Sequence, residues 1–126
     1  MSWRFEQSTG HLYLNDQFVA SGYSGFPPYT NKPDAEQIKN FGPIPKGRYH
    51  IGAPYDSPNV GPFALPLEAS PETMTFNRGD FRIHGDSRIN PGSASHGCLI
   101  FPRQVREAIA KSADKTLEVF DLSVPS

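Results

Sequence analysis

The sequence has one cysteine, no long apolar run and no large excess of charge of either sign. Cys98 cannot form an internal disulfide, so its thiol is free unless it binds a metal or another chain. No apolar stretch approaches the roughly 20 residues that cross a bilayer, so we expect no membrane insertion. A formal charge of −1 argues against nucleic-acid binding through bulk electrostatics, which needs a basic excess.

The start of the chain and its overall size also limit the interpretation. The first residues, MSWRFEQSTG, contain no basic segment followed by an apolar run, so we expect synthesis in the cytoplasm without a Sec signal peptide. With 126 residues, of which 37% are apolar and 12% aromatic, the chain has enough apolar material for one core. We therefore expect a single domain over residues 1–126.

Most of the chain alternates apolar and polar residues, which is typical of half-buried strands. The predicted strands cover residues 3–7, 11–16, 17–25, 48–54, 63–69, 80–85, 98–101 and 116–124. One helix is predicted over residues 102–112, with Pro102 at its first position and an apolar stripe of Val105, Ala108 and Ile109. The expected fold is a mainly β sandwich or barrel with one helix packed on it.

A long segment between the third and fourth predicted strands has a different composition. Residues 26–47 are dense in Pro, Gly and Asn, which favour turns over strands. We expect an ordered surface loop with one helical turn within residues 33–40. A loop of this length in a small domain is often functional.

Cys98 lies in a run that contains the residues needed for nucleophilic catalysis. A thiol is a useful nucleophile only as thiolate, and a histidine is its usual proton acceptor. His84 ends an alternating segment and should project away from the core, and the polar loop that follows can bring it beside Cys98. Gly97 permits a tight backbone in which nearby amides point at a developing oxyanion. This arrangement suits acyl transfer.

Other interpretations of the same residues remain open. A lone cysteine is often a small buried apolar residue. His84, His96 and Cys98 could bind zinc, but this site would need a further ligand. Asp86 either orients His84 or binds the incoming amine, or it caps a turn in the sequence GDS.

Two motifs carry a resemblance to a known family. IHG at residues 83–85 and SHGC at residues 95–98 resemble the signature of YkuD-type L,D-transpeptidases. GYSG at 22–25, GPIPKGRY at 42–49 and FRIHGDS at 81–87 are similar to the Tlde1 domain of type VI secretion effectors, the toxin branch of that superfamily. The resemblance extends from about Trp3 to Val119, and it implies a YkuD-like β fold.

The resemblance assigns roles to individual residues. It implies that Cys98 is the nucleophile, that His84 is the base and that the Gly85 backbone orients this base. It also implies that the oxyanion pocket is shaped by Ser95, His96 and Gly97. The sequence departs from the family after the cysteine, where LIF replaces the usual Arg or Asn, so Arg103 or Arg88 is a candidate for the missing cation.

The charge around these motifs differs from the charge of the whole chain. Residues 78–106 contain five arginines and two aspartates, a local excess of three positive charges. Arginine binds carboxylates in bidentate fashion, so this segment suits a substrate that carries carboxylates. The candidate substrate-binding residues are Arg82, Asp86, Arg88 and Arg103.

The resemblance implies a substrate, partners and a location. The expected reaction attacks the bond between diaminopimelate and the terminal D-Ala of a peptidoglycan tetrapeptide stem through a thioester on Cys98, with no cofactor. Water gives a carboxypeptidase, and a D-amino acid gives an exchange transpeptidase. We expect delivery by type VI secretion components into the periplasm of a target bacterium, and a cognate immunity protein. The alternative is a non-catalytic module that binds peptidoglycan or a protein partner.

Overall fold

Ten short strands and one helix form the regular structure of residues 2–122, the part of the chain that this computed structural model describes. The strands are β1 (Trp3–Glu6), β2 (His11–Leu14), β3 (Gln17–Ser21), β4 (Tyr23–Ser24), β5 (Gly47–Ile51), β6 (Tyr55–Ser57), β7 (Gly61–Ala69), β8 (Arg82–His84), β9 (Leu99–Ile100) and β10 (Thr116–Phe120). The α-helix is α1 (Arg103–Lys111), and a 3₁₀ turn covers Pro33–Ala35. The predicted mainly β class with one helix is confirmed.

The strands follow the order β3-β2-β1-β10-β5-β7-β8-β9-β4, and β6 pairs with β7. The β1/β10 and β8/β9 pairs are parallel, and the other pairs are antiparallel. Only Gly22 separates β3 from β4, although these strands lie at opposite ends of the order. The single strand predicted over residues 17–25 is therefore two strands, because its halves pair with different neighbours, β2 and β9.

The alternating residues of the strands form one apolar core. In β1, Trp3 and Phe5 are 2% and 0% exposed and their side chains share one face. The other large members of the cluster are Leu12, Ile44, Tyr49, Ile51, Leu65, Leu67, Phe81, Ile83, Leu99, Phe101, Val105, Ile109, Leu117 and Val119. Strands β8 and β9 contribute Ile83 and Leu99 to this core.

Helix α1 differs from its predicted apolar stripe. Val105 and Ile109 are buried as expected, but Ala108 is exposed, so its predicted place in the stripe is wrong. Arg106 is buried instead, because its guanidinium donates to the carbonyls of Phe101, Pro62 and Phe63. The helix begins at Arg103, one residue after the position predicted from Pro102.

The loop before β5 is ordered by a partly buried acidic side chain. The Glu36 carboxylate accepts hydrogen bonds from Gln7 and from both the backbone and side chain of Lys46. The predicted helical turn is present as the 3₁₀ turn at Pro33–Ala35. Strand β6 was not predicted, and the last residues of the final predicted strand, 123 and 124, lie outside the described residues.

One connection in the sheet determines where the predicted motifs lie. Strands β8 and β9 are parallel neighbours, so the chain must cross over between them. Residues 85–98 make this crossover without a helix or strand and contain the SHGC motif. No helix in residues 2–122 is long and apolar enough to span a bilayer.

Candidate active site

The register of β8 and β9 places His84 and Cys98 on the same face of the sheet. Ile83 pairs with Leu99, and both belong to the apolar core at 1% and 0% exposure. Because side chains alternate along a strand, the flanking residues Arg82, His84 and Cys98 face the opposite side. All three line one cavity of about 390 Å³. The structure thus brings together the two residues predicted as nucleophile and base.

His84 is held in one tautomer by its neighbour. Its Nδ1–H donates to the Gly85 carbonyl oxygen at 2.9 Å, and because a carbonyl only accepts, the neutral ring has a free lone pair on Nε2. The residue is 3% exposed, and burial lowers the pKa of His84, with the charges of Arg106 and Arg82 adding to the effect. A neutral imidazole with a free Nε2 can accept a proton at neutral pH.

Gly85 lies too close to Arg106 to carry a side chain. A Cβ on Gly85 would lie 2.9 Å from Nη2 of Arg106, whose guanidinium is fixed by backbone carbonyls. His84 faces away from the core, as the sequence predicts, but it is buried. Arg106 therefore packs directly against the backbone that orients His84.

The Cys98 thiol is protonated in this arrangement. The residue is 8% exposed, and Sγ donates to the Asp80 carbonyl at 3.7 Å. Burial raises the pKa of Cys98, and the hydrogen bonds and positive charge of Arg82 oppose this rise only in part. Because the pKa of His84 is lowered, the two groups form a neutral thiol and imidazole pair, and the thiol must turn from Asp80 towards His84 to lose its proton.

Two buried serines fix the turn that precedes Cys98, and both are 0% exposed. Ser95 Oγ accepts the Gly25 and Gly97 N–H groups at 2.8 and 3.2 Å and donates to the Cys98 carbonyl at 2.6 Å. Ser24 Oγ accepts the Ile44 N–H at 2.9 Å and donates to the Gly97 carbonyl at 3.2 Å. The turn is thus bonded to the end of β4 and to Gly25, which follows it.

The hydrogen bonds of this turn determine which amide can face an oxyanion. Two amides were predicted for this role, those of Gly97 and Cys98. The Gly97 N–H is bonded to Ser95, so the Cys98 N–H is the one that remains. In a trans peptide the C=O and N–H point in opposite directions, so the Cys98 N–H points away from Ser24. Gly97 has φ 130°, and a Cβ there would lie 2.6 Å from Arg78 Nη2. Glycine is therefore required at this position.

His96 lies at the rim of the cavity. Its ring is exposed, stacks on Phe26 with centroids 5.1 Å apart, and donates from Nδ1 to the Asn40 carbonyl at 2.9 Å. These contacts connect the turn of residues 95–98, the cysteine turn, to the long loop before β5. Within residues 2–122, no group of three or more His, Cys, Asp and Glu side chains is placed to hold a metal ion.

The predicted substrate-binding residues do not all lie near the cavity. Arg82 lines it and donates to the Tyr55 hydroxyl at 2.6 Å. Arg103 stacks on Phe63 and pairs with Glu107 at 3.3 Å, and Arg88 is exposed on the crossover. Neither of these two arginines contributes to the cavity lining.

Asp86 is bonded to the crossover backbone and to Tyr23 of β4 rather than to His84. Its carboxylate accepts from the Tyr23 hydroxyl at 2.6 Å and from the Ser87 and Gly92 N–H groups at 2.8 and 3.1 Å. Burial acts to raise the pKa of Asp86, but these hydrogen bonds outweigh it and lower the pKa. The geometry is that of a turn cap, the structural alternative considered for GDS.

Two cationic residues of the cavity lining were not among the predicted site residues. Lys39 reaches the cavity from the loop before β5, and Arg78 reaches it from the segment before β8. Arg78 is 7% exposed and donates to the carbonyls of Gly42, Pro43 and His96, and also to that of Glu36. The sequence predicted that the long loop is functional, which indicates Lys39 only as one member of that loop. Composition did not indicate that Arg78 is buried.

Comparisons with known proteins show the fold and the family of the chain. No curated protein matches the chain. A crystal structure of a cysteine-to-serine mutant of an L,D-transpeptidase from Enterococcus faecium is similar, with a TM-score of 0.57 and 16% identity. The similarity covers 94% of this chain and 49% of that one, so the present chain spans about half its length and shares the L,D-transpeptidase fold. Residues 19–123 match the Tlde1 domain family, and the chain therefore belongs to this family.

Proposed function

We propose that this protein is a cysteine L,D-carboxypeptidase or L,D-transpeptidase that acts on peptidoglycan tetrapeptide stems. The family and the fold both support a peptidoglycan-related function. The observation that carries the finer proposal is the placement of His84 and Cys98 on one sheet face, lining one cavity, with the His84 Nδ1–H fixed on Gly85. This leaves Nε2 available as the base.

The first half of the reaction forms a thioester. Cys98 Sγ turns from the Asp80 carbonyl, gives its proton to His84 Nε2 and attacks the carbonyl carbon of the L,D bond. The oxygen becomes an anion that accepts a hydrogen bond from the Cys98 N–H. When the tetrahedral intermediate collapses, the C–N bond breaks and His84 returns the proton to the departing D-Ala amine.

The second half releases the acyl group. Water, or the amine of a free D-amino acid, gives a proton to His84 Nε2 and attacks the thioester carbonyl. The C–S bond then breaks and the Cys98 thiolate recovers the proton from His84. Water yields a shortened stem, and a D-amino acid yields an exchanged stem.

The cavity charges favour an anionic substrate. Lys39 is exposed at the cavity wall, and Arg82 lies beside Cys98. These cations can bind the carboxylates of a peptidoglycan stem. In this proposal Lys39 and Arg82 hold the substrate, and Arg88 and Arg103 contribute only to the general positive charge of the surface.

Purified tetrapeptide muropeptides test the reaction directly. They are incubated with the protein and with Cys98→Ala, with and without D-amino acids, and analysed by mass spectrometry. We expect loss of D-Ala, or its exchange, with the wild type alone. Equal product from Cys98→Ala would overturn the proposal, and no product from either protein would favour the non-catalytic binding module.

We also propose that the protein is an antibacterial effector, made without a signal peptide and delivered by type VI secretion components to the periplasm of a target cell. A cognate immunity protein would then cover the cavity at Cys98. The support is the membership of the Tlde1 family. Expression of the domain with and without an added periplasmic signal tests the location: we expect toxicity from the periplasmic form, and equal toxicity of both forms would contradict it.

A further inference from the structure

Arg78 is a buried cation without an anionic partner. No ion pair within residues 2–122 involves it, and its guanidinium donates to backbone carbonyls. The carboxylate of nearby Glu36 is bonded to Lys46 and Gln7 instead. Buried charges are usually paired, because desolvation is costly. Backbone carbonyls and the nearby Glu36 carboxylate thus face the charge of Arg78, but no carboxylate among residues 2–122 forms an ion pair with it.

The segment that carries Arg78 has an unusual backbone. Phe76, Asn77 and Asp80 have φ of 57°, 61° and 59°, in the left-handed region that non-glycine residues rarely adopt. This conformation places Arg78 under the cysteine turn and presents the Asp80 carbonyl to Cys98 Sγ. Strained backbone of this kind concentrates at functional sites.

The charge of Arg78 lies next to the nucleophile. Its Nη2 donates to the His96 carbonyl at 3.3 Å and would lie 2.6 Å from a Cβ on Gly97, the residue before Cys98. Arg78 and Cys98 also line the same cavity. Burial lowers the pKa of Arg78, and attraction to Tyr49, to Glu36 and, to a smaller extent, to Cys98 opposes this change. Because Nη2 lies against the Gly97 backbone, next to Cys98, the guanidinium is placed to act on the thiol as well as on the turn.

We propose that Arg78 is the positioning residue of the cysteine turn and that its unpaired buried charge stabilises the Cys98 thiolate and the oxyanion. The effect of Arg78 on the oxyanion rests on the proposed function, whereas its effect on the thiol exists in the free protein. Arg82 also acts on Cys98, but it is half-buried, and salt screens exposed charges more than buried ones. The effect of Arg78 should thus persist at high salt.

The pH dependence of thiol alkylation tests the proposal without substrate. Iodoacetamide rates are measured for the wild type, Arg78→Gln and Arg78→Lys, with folding checked by circular dichroism. We expect Arg78→Gln to raise the thiol pKa by about one unit, a tenfold loss of thiolate at neutral pH. Arg78→Lys keeps the charge and should remain within about threefold of the wild type, following the same relation. Identical profiles for the wild type and a folded Arg78→Gln, or equal shifts in both variants, would overturn the proposal.

If Arg78→Gln does not fold, the charge is read from a variant that carries both Lys39→Gln and Arg82→Gln and so lacks the other lysine and arginine of the cavity lining. The ratio of the iodoacetate rate to the iodoacetamide rate for Cys98 is compared with the same ratio for glutathione. The salt concentration is about 1 M, where the Debye length is roughly 3 Å and exposed charges are screened. A higher ratio for Cys98 supports the buried charge, and an equal ratio overturns it. These assays need no peptidoglycan. If the thiol shows no effect of Arg78 but the stem peptide is turned over, only the role of Arg78 is refuted. If the thiol shows the effect of Arg78 but the stem peptide is not turned over, only the enzymatic function is refuted.

Discussion

Ser24 offers a sharp test of how the cysteine turn is held. Its hydroxyl satisfies the Gly97 carbonyl and the Ile44 N–H, and the residue is 0% exposed. Ser24→Ala leaves both groups unpaired, and each buried unpaired group costs about 1–3 kcal/mol. We expect a loss of about 2–6 kcal/mol in the free energy of unfolding, measured by urea denaturation.

The same substitution should affect turnover beyond its effect on stability. The bond from Ser24 to Gly97 fixes the peptide that presents the Cys98 N–H to the oxyanion. Because removing an oxyanion donor costs about 10²–10³ in kcat, loosening this one should cost at least about tenfold under conditions where the variant is folded. The KM for the stem peptide should change little.

Ser21→Ala is the matched control, because Ser21 is exposed at the end of β3, three residues away. It should stay within about 0.5 kcal/mol of the wild type and keep full kcat. Wild-type kcat in a folded Ser24→Ala variant, or an equal loss in Ser21→Ala, would refute the reasoning.

Further predictions concern the base and the cavity charges. Because the pKa of His84 is lowered from 6.5, the acid limb of kcat/KM should have its midpoint below 6.5. Because His84 has a higher pKa in the unfolded chain, the unfolded chain binds the proton more readily, and the free energy of unfolding should fall as pH drops below about 6.5. His84→Gln should remove this pH dependence when denaturation is compared at pH 7 and 5. An unchanged pH dependence would count against the burial argument. Arg82→Gln should raise KM for the stem peptide, whereas Arg103→Gln, outside the cavity, should not, and equal effects would contradict the proposed carboxylate site. Lys39→Gln should also raise KM while leaving the alkylation rate of Cys98 unchanged, and a changed alkylation rate would show that Lys39 acts on the thiol instead.

The parts of the fold that follow from local patterns were predictable. The alternation around Trp3 and Phe5 determines which side chains enter the core. The polar crossover between two apolar segments predicted that His84 could lie beside Cys98, and the parallel register of β8 and β9 produces this proximity. Local sequence was sufficient because both residues lie directly on or beside strands whose faces are fixed by the core.

Features that depend on distant partners were not predictable. The strand predicted over residues 17–25 divides at Gly22 because β2 and β9, which lie far apart in sequence, each take one half. Arg106 is buried because carbonyls of the preceding loop and of Pro62 and Phe63 receive its guanidinium. Such carbonyl acceptors have no sequence signature, since every residue has one.

The same limit applies to the candidate site. Ser24 belongs to the GYSG motif, but its hydrogen bonds to Gly97 and Ile44 join three segments that only the folded chain brings together. Arg78 was counted within a positive patch, whereas the structure places it under the cysteine turn. Charge composition could not distinguish this buried arginine from the exposed Arg88.

Trapping the acyl-enzyme tests the central claim most directly. The wild type, Cys98→Ala and His84→Gln are mixed with a tetrapeptide stem, quenched in acid and analysed by intact-protein mass spectrometry. We expect the wild type to gain the mass of the stem without its terminal D-Ala, on a peptide that contains Cys98, and we expect no adduct on Cys98→Ala and a slower adduct on His84→Gln. Turnover of the stem with no adduct on Cys98, or an adduct that persists in Cys98→Ala, would contradict the account.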